Sequence, residues 1–364
     1  MKIRLATALL AALTALQGAP AHAQPNPAQT EVDSFPAYAP QQPVSGVVRN
    51  AGSGLNGLLA LWEADFAKYQ PGIRFEDHLP SGDAAIGALE AGAADLAVNG
   101  REPVLTEFLS FAEVFGNDGP FQVTVATGSY DKLGRTWAEV IFVNRDNPIA
   151  HLTMAQLDGV FGAERTGGYQ GYKWTSKLAR SASKNIRTWG QLGLTGAWAN
   201  KPIHTYGYAP TGMSNFFELT VFHGGVKWNP NYRQYVETTA KQATDHAGTT
   251  DQMLTDLSHD QYGIAWAGVA HAVGKPAVKS IALGTDPRGP FIAPTLETVR
   301  ARTYPLTRSI FIQLNRPPGT PISPQIKEFL RYILSRQGQS VVLRQGEYLP
   351  LTRDELDRQL RALD

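Results

Sequence analysis

The stretch that decides the fold is VVRNAGSGLNGLLALWEADF at residues 47–66, in which a short apolar strand, a turn of small residues and an amphipathic helix follow one another. Its helical part places Leu58, Trp62 and Phe66 on one face, at the spacing of a buried helix. A turn of this kind leaves backbone N–H groups unpaired at the start of a helix, where a small anion can bind. The stretch therefore predicts a strand–turn–helix unit with a candidate oxyanion site at its turn.

The same pattern occurs twice more, as IRFEDHLPSGDAAIGAL at residues 73–89 and IHTYGYAPTGMSNFFELTV at residues 203–221. In the first part of the chain the predicted strands are 46–50, 73–78 and 95–98, and the predicted helices are 55–69, 82–91 and 105–114. Short strands that alternate with helices indicate a parallel sheet covered on both faces. We therefore predict an α/β fold.

The domain organisation follows from where strands recur. Further strands are predicted at 121–127, 138–143 and 309–314, with a second strand–helix region from residue 203. This order predicts a discontinuous first domain, residues 44–143 and 308–364, with a second domain, residues 144–307, inserted in it. The two connecting segments are expected to form a hinge, with a ligand cleft between the domains.

The amino terminus has the composition of an export signal. Basic residues precede an apolar run at residues 5–16, and the small-residue sequence AHA at residues 21–23 resembles a cleavage site. We predict a signal peptide at residues 1–23 and a periplasmic location. The chain contains no Cys, so it lacks the residue that a lipid anchor requires and cannot form a disulfide. Residues 24–43, rich in Pro, Ala and Gln, predict a flexible leader.

Charge is nearly balanced, with 33 Lys and Arg against 32 Asp and Glu. This balance argues against a nucleic acid or a membrane surface as partner. The exception is RTGGYQGYKWTSKLARSASKNIR at residues 165–187, which has six basic residues and no acidic one. Its Gly and Ser content favours a solvated surface loop over a binding patch.

Small and hydroxyl residues occupy the first two turns. Ser53 precedes Gly54 and Leu55, and Ser81 precedes Gly82. Each Ser could cap the helix that follows, or bind an anion together with the next N–H groups. For either turn taken alone, capping is the simpler interpretation.

The third turn offers Thr211, Gly212, Met213 and Ser214 before another helix with an apolar face. Because all three turns follow strands, they should lie at the carboxyl ends of the sheets, where open α/β folds bind ligands. Three such turns at the carboxyl ends of strands support an anion site more strongly than any one of them does alone.

Arg101 follows Gly100 at the end of the predicted strand 95–98 and is the candidate cation. Its guanidinium could donate a fork of hydrogen bonds to an oxyanion. It could equally form a structural ion pair with Glu102 or another neighbour. Enzyme signatures are missing, since the sequence has no G-x-S-x-G, H-E-x-x-H or G-x-x-x-x-G-K motif and its His residues lack metal-ligand spacing. We predict a binding protein with no catalytic residue, metal or cofactor.

The order of several motifs resembles the periplasmic phosphate-binding proteins of ABC transporters, in the type II periplasmic-binding-protein superfamily. AIGALEAGAADLAVNGREP at residues 85–103 is similar to that family's helix, strand and Ser-Arg turn, and VIFVNRDNPIAHLTMAQLDGVFG at residues 140–162 to its crossing strand and next helix. YGIAWAGV, RTYPLTRSIFIQLN and IKEFLRYILSRQGQSVVLRQGEYLPL resemble its late motifs. The resemblance covers residues 46–351. It implies a two-domain monomer that captures phosphate or a related small oxyanion for an ABC transporter permease.

The resemblance also implies which residues contact the ligand: Ser53, Gly54, Ser81, Gly100, Arg101, Thr211, Gly212 and Met213. Three positions depart from the family pattern, since Gly207, Met213 and Gly100 stand where the family has Arg, a hydroxyl residue and Ser. Each lost charge-assisted hydrogen bond costs about 1.5–3 kcal/mol of binding free energy. The departures therefore weaken the prediction that the ligand is phosphate itself. The alternatives are an orphan binding-protein fold used for sensing or adhesion and, on weaker grounds, an exported hydrolase.

Overall fold

The structure, a computed structural model, describes residues 27–171, 173–209, 213–236 and 248–364. Two five-stranded sheets, each with its own hydrophobic core, organise this part of the chain. The α/β fold class expected from the sequence is confirmed. None of the helices in these ranges is both long enough and apolar enough to cross a membrane.

In chain order, the strands of the described ranges are β1 (Ser45–Gly52), β2 (Gly72–His78), β3 (Leu96–Asn99), β4 (Phe121–Thr127), β5 (Val140–Asn144), β6 (His151–Thr153), β7 (Gly168–Gln170), β8 (Lys173–Thr175), β9 (His204–Tyr208), β10 (Arg233–Tyr235), β11 (Gly263–Ala267), β12 (Val278–Ser280), β13 (Ala282–Gly284) and β14 (Ser309–Leu314). The helices are α1 (Pro27–Asp33), α2 (Leu58–Phe66), α3 (Ala85–Glu90), α4 (Leu105–Phe115), α5 (Met154–Phe161), α6 (Asn215–Val221), α7 (Thr249–Ser258), α8 (Leu296–Arg300), α9 (Pro324–Ile333), α10 (Arg336–Gln345) and α11 (Arg353–Ala362).

The first sheet has the strand order β2-β1-β3-β14-β4. β1 pairs in parallel with β2 and β3, whereas β14 is antiparallel to both β3 and β4. Val48 of β1, Trp62 of α2 and Ile312 of β14 are fully buried in its core. Because β14 is antiparallel to β3, it begins at the edge where β3 ends, as the pairing of Phe311 with Asn99 shows.

The second sheet has the order β10-β9-β11-β5-β12, and all of its strands lie in the chain between β4 and β14. This placement corrects the domain boundary expected at residue 143. β5, predicted as a strand of the first domain, pairs with β11 and β12, and its Ile141 and Val143 are fully buried in the second core. An apolar run such as AEVIFV predicts a buried strand but does not identify the sheet that the strand joins.

Residues 27–43 are not the flexible leader that their composition predicted. After α1, Phe35 and Tyr38 are 2% and 7% exposed and pack into the first core. The Tyr38 hydroxyl donates a hydrogen bond to Glu328 Oε2 in α9 (2.6 Å). The residues that pack are apolar and lie three positions apart. The composition of the segment, rich in Pro, Ala and Gln, gave no sign of this burial. The signal peptide predicted at residues 1–23 lies outside the described residues.

Candidate functional site

A cavity of about 290 Å³ lies between the two sheets. Residues that follow β1 and β3 form one wall, and Trp137 and Met213, which pack with the second core, contribute to the other. Four residues singled out from the sequence line the cavity: Ser53, Gly100, Arg101 and Met213. Seven others line it as well: Asn56, Gly134, Arg135, Thr136, Trp137, Arg308 and Tyr348.

The first turn is shaped by left-handed backbone. The Ser53 N–H donates to a β3 carbonyl (2.9 Å), and its Oγ accepts from the Leu55 N–H (3.2 Å). Leu55, Asn56 and Gly57 have φ angles of 49°, 56° and 87°. The helix predicted from residue 55 therefore begins as a 3₁₀ turn, and Gly57 rather than Ser53 precedes α2. Ser53 and Asn56 line the cavity, whereas Gly54 and Leu55 do not.

The second turn serves as a cap. The exposed Ser81 accepts a hydrogen bond from the Asp83 N–H through its Oγ (3.2 Å), and the Gly82 carbonyl accepts from Asn99 Nδ2 (3.4 Å). Neither Ser81 nor Gly82 belongs to the cavity wall. These two expected contacts therefore correspond to the capping interpretation. The second turn is linked to the cavity through Arg101, a lining residue whose Nη2 donates to Asp83 Oδ1 (2.8 Å).

Arg101 lines the cavity but is held by carboxylates. Its Nη1 and Nη2 donate to Glu107 Oε2 and Oε1 (2.9 and 2.8 Å), and Nη2 also donates to Asp83. Nη1 donates further to the Glu102 carbonyl (3.0 Å). The structural ion pair that the sequence left open is therefore present, with Glu107 and Asp83 as partners. An oxyanion at Arg101 would share the guanidinium with both acids.

The third turn is described only in part. Thr211 and Gly212 lie outside the described residues, while Met213 lines the cavity. Ser214 is fully buried immediately before α6. Met213 thus brings the start of α6 to the cavity, but it supplies an apolar side chain where the family pattern has a hydroxyl.

Gly207 stands where the family resemblance implies an Arg, and packing explains the difference. The residue lies inside β9, where an added Cβ would collide with the Tyr232 hydroxyl and the Trp266 indole nitrogen. Both side chains are buried, and the Tyr232 hydroxyl donates to the Tyr208 carbonyl (2.8 Å). An Arg does not fit at this position. The cations of the cavity come from other elements.

Gly100 departs from the family pattern for a similar reason. The Thr136 hydroxyl donates a hydrogen bond to the Gly100 carbonyl, and a Cβ on Gly100 would lie 2.8 Å from Thr136 Oγ1. The Thr136 hydroxyl therefore occupies the space that a Ser side chain at position 100 would need.

Arg308 is a cation that the sequence motifs did not reveal. Its Nη2 donates to Glu102 Oε2 (2.9 Å), and its guanidinium carbon lies 5.3 Å from the centre of the Phe216 ring. Its Nε is buried and has no hydrogen-bonding partner among the described residues. Arg308 immediately precedes β14, so the antiparallel direction of that strand places it beside the end of β3. The sequence predicted the strand but not its antiparallel pairing with β3, so it could not place Arg308 at the cavity.

Arg135 is the second such cation. Its Nη2 donates to Glu347 Oε1 (2.7 Å), and its side chain is 24% exposed. Nearby, the Tyr348 hydroxyl accepts from Asn56 Nδ2 (3.1 Å), and burial raises the pKa of Tyr348 to about 12. Tyr348 therefore remains a neutral hydroxyl at physiological pH.

A fully buried acid, Glu139, interacts electrostatically with Arg308. Neither of its carboxylate oxygens has a hydrogen-bonding partner in the described part of the chain. Burial raises the pKa of Glu139 well above its usual range, and the charge of Arg308 opposes this rise. The protonated form is thus favoured relative to an exposed Glu.

Three guanidinium groups, those of Arg101, Arg135 and Arg308, reach one small cavity. Each guanidinium is also paired with a carboxylate, which partly neutralises its positive charge. The cavity wall still presents guanidinium N–H donors. Such donors suit an oxyanion ligand. No group of three His, Asp or Glu side chains in the described ranges could hold a metal ion.

Comparison with known proteins agrees with this architecture. The chain is 27% identical over 333 residues to the phosphate-binding protein PstS of Pseudomonas aeruginosa, in strains PAO1 and UCBPP-PA14, and the match covers 91% of each chain. A crystal structure of PstS from Borrelia burgdorferi is similar in fold, at 14% identity and a TM-score of 0.50, over 85% of this chain and 100% of that one. The PBP superfamily domain matches residues 37–337. The chain therefore belongs to the PBP superfamily.

Proposed function

We propose that this chain is a periplasmic substrate-binding protein that captures phosphate, or a related small oxyanion, for an ABC transporter permease. The observation that carries the proposal is the meeting of three arginines at a cavity of about 290 Å³. This volume is at the lower end of ligand pockets and suits a small inorganic anion. A relative with 27% identity, named a phosphate-binding protein, supports phosphate over other oxyanions.

The ligand is proposed to bind against Arg308, Ser53 and Asn56. Arg308 contributes most, because its buried Nε lacks a partner among the described residues and an oxyanion would supply one. Arg101 and Arg135 add positive potential from the cavity wall, although each also serves a carboxylate. The site departs from the family pattern in drawing its cations from the segment before β14 and the segment after β4.

Contacts between the two halves of the molecule support a closed state of the cleft. Asn215 Nδ2 in α6 donates to the Glu102 carbonyl after β3 (2.9 Å), which joins the second core to the first. We propose that the two sheets belong to two domains that close on the ligand about the connecting segments. The chain is proposed to be exported by its signal peptide, to carry no lipid anchor, to act as a monomer and to bind its ligand without catalysis.

The test is isothermal titration of the mature chain with phosphate, sulfate, molybdate and small carboxylates. Phosphate is expected to bind most tightly. Arg308→Met should weaken binding about tenfold or more, because it removes a charged donor. The matched control is Arg288→Met, because the Arg288 side chain is 90% exposed and pairs with the neighbouring Asp286. This variant should bind like the unmodified chain.

Two results would contradict the proposal. If the folded chain bound none of these anions, the oxyanion function would be excluded and the sensing or adhesion alternative favoured. If Arg308→Met bound phosphate normally, the assigned site would be wrong. Because this substitution leaves Glu102 without its partner, circular dichroism must show that the variant folds. Ser53→Ala is the milder second variant, with a several-fold loss of affinity expected.

A further inference from the structure

A second cavity lies within the second-sheet half of the molecule, apart from the cleft. Its volume is about 840 Å³, and it shares no lining residue with the cavity between the sheets. Its polar lining consists of Gln156, Asp158, Arg165, Arg180, Ser181 and Lys184. Most of these residues belong to the basic segment 165–187, for which the sequence favoured a solvated loop.

The backbone of this segment sets two arginines side by side. The Arg165 N–H donates to the Arg180 carbonyl (2.9 Å), and the Arg180 N–H donates to the Arg165 carbonyl (2.9 Å). Directly opposed residues of an antiparallel pair project their side chains to the same face. Both side chains are only 9% exposed, although the sequence favoured a solvated surface loop for this segment.

Asp158 is already used by one of the two arginines. Arg165 Nη1 and Nη2 donate to Asp158 Oδ1 and Oδ2 (2.8 and 2.7 Å), a bidentate pair. Arg180 Nε lies 3.2 Å from Asp158 Oδ1, but the geometry is not that of a hydrogen bond. None of the three Arg180 side-chain nitrogens has a hydrogen-bonding partner among the described residues. A buried guanidinium without acceptors is costly, so this one calls for a group that the described residues do not supply.

Charge and shape define the missing group. Beyond the Asp158–Arg165 pair, the lining carries the two positive charges of Arg180 and Lys184, and Ser181 adds a hydroxyl. A phosphate monoester is a dianion near neutral pH and matches this charge. The rest of the lining is apolar, formed by Ala155, Ala179 and Ile186. The volume exceeds what a bare inorganic ion needs.

We propose that this cavity is a second ligand site, which binds a phosphate monoester with a small apolar body. The phosphoryl group lies against Arg180, Ser181 and Lys184, and the organic part lies against the apolar wall. The site is independent of the proposed cleft function, because no residue is common to the two cavities.

The test is isothermal titration of the full mature chain with phenyl phosphate. The unmodified chain and Lys177→Met are expected to bind it, since Lys177 is an exposed residue of the same segment outside the lining. Arg180→Met should lose about tenfold or more in affinity, because it removes a guanidinium whose hydrogen-bond donors are available to the ligand. Arg308→Met, a change in the cleft, should leave phenyl phosphate binding unchanged.

Three results would overturn this proposal: no binding of phenyl phosphate to the unmodified chain, normal binding to Arg180→Met, or loss of binding in Arg308→Met with normal binding in Arg180→Met. A purely structural role for Arg180 would change the unfolding midpoint without changing the affinity, so thermal unfolding is recorded for each variant. If Arg180→Met fails to fold, Lys184→Met and Ser181→Ala carry the same test, and normal affinity in both would overturn the proposal.

Discussion

At the scale of single residues, a pair of acids that share Asn50 of β1 makes stability depend on pH. Asn50 Nδ2 donates to both Glu63 Oε1 (2.8 Å) and Asp77 Oδ1 (2.9 Å), which holds the two carboxyl groups together. Burial, and then the charge of Asp77, raise the pKa of Glu63 to about 8. Because an unfolded Glu titrates near 4.3, the folded chain holds an extra proton between these values. The free energy of unfolding should therefore fall as pH rises from about 4 to about 8.

Glu63→Gln should remove this dependence. Relative to the unmodified chain, the variant is expected to gain stability across that window, by about 2–3 kcal/mol at its upper end after allowance for partial exposure. Urea unfolding at a series of pH values measures the difference. Glu76→Gln, at an exposed position of β2, is the control and should run parallel to the unmodified chain. A constant difference between Glu63→Gln and the unmodified chain at all pH values would refute the assignment.

Residue chemistry also explains how far the site could be predicted. Ser53 and Arg101 are predictable because turns after strands are visible in sequence, and both line the cavity. Arg308 and Arg135 are not, because their positions depend on strand pairing and on chain segments far apart in sequence. Ser81 illustrates the opposite limit, since a cap and an anion ligand have the same sequence signature.

At the scale of elements, the segment before β1 is a structural part of the first half. Phe35 is 2% exposed and Tyr38 bonds the buried Glu328, so the segment covers α9 and α10. Phe35→Ala should lower the free energy of unfolding by about 3–4 kcal/mol, through lost burial and an unfilled cavity. Chemical denaturation measures this change.

The matched control for that segment is Ala37→Ser, at an exposed position two residues away. Its expected effect is within about 0.5 kcal/mol. If Phe35→Ala were as stable as the control, the segment would be dispensable, and the composition-based prediction of a leader would be restored. Patterned helices such as α2 were predictable because the apolar face spans several turns. The Pro-rich segment offers only three buried apolar residues, Val32, Phe35 and Tyr38, and they give no comparable pattern.

At the scale of the whole molecule, the contacts of one side chain join the two halves across the cleft. Asn215 donates from α6 to the carbonyls of Glu102 and Pro103 (2.9 and 3.4 Å). Asn215→Ala should shift the population toward an open form and weaken phosphate binding about two- to tenfold, the equivalent of one hydrogen bond. Titration calorimetry gives the affinity, and small-angle X-ray scattering of the ligand-free chain gives the radius of gyration, which should rise.

Asn231→Ala, at an exposed position of the second half, is the control for this change and should alter neither quantity. A variant at Asn215 with unaltered affinity and unaltered radius would show that the contact does not hold the halves together. The two-sheet division itself was predictable from the order of strands and helices, whereas the assignment of β5 was not. That strand is apolar over most of its length, and either sheet could have buried it.

The central place of β14 in the first sheet has a consequence for biogenesis. β14 separates β3 from β4, yet it follows the entire second sheet in the chain. A polypeptide synthesised from its amino terminus leaves the inner edges of β3 and β4 unpaired until β14 is made, and unpaired edges can pair with strands of other chains. Pairing over such sequence separations is also slow. Completion of the first sheet is thereby postponed until β14 has been synthesised, after the whole second sheet.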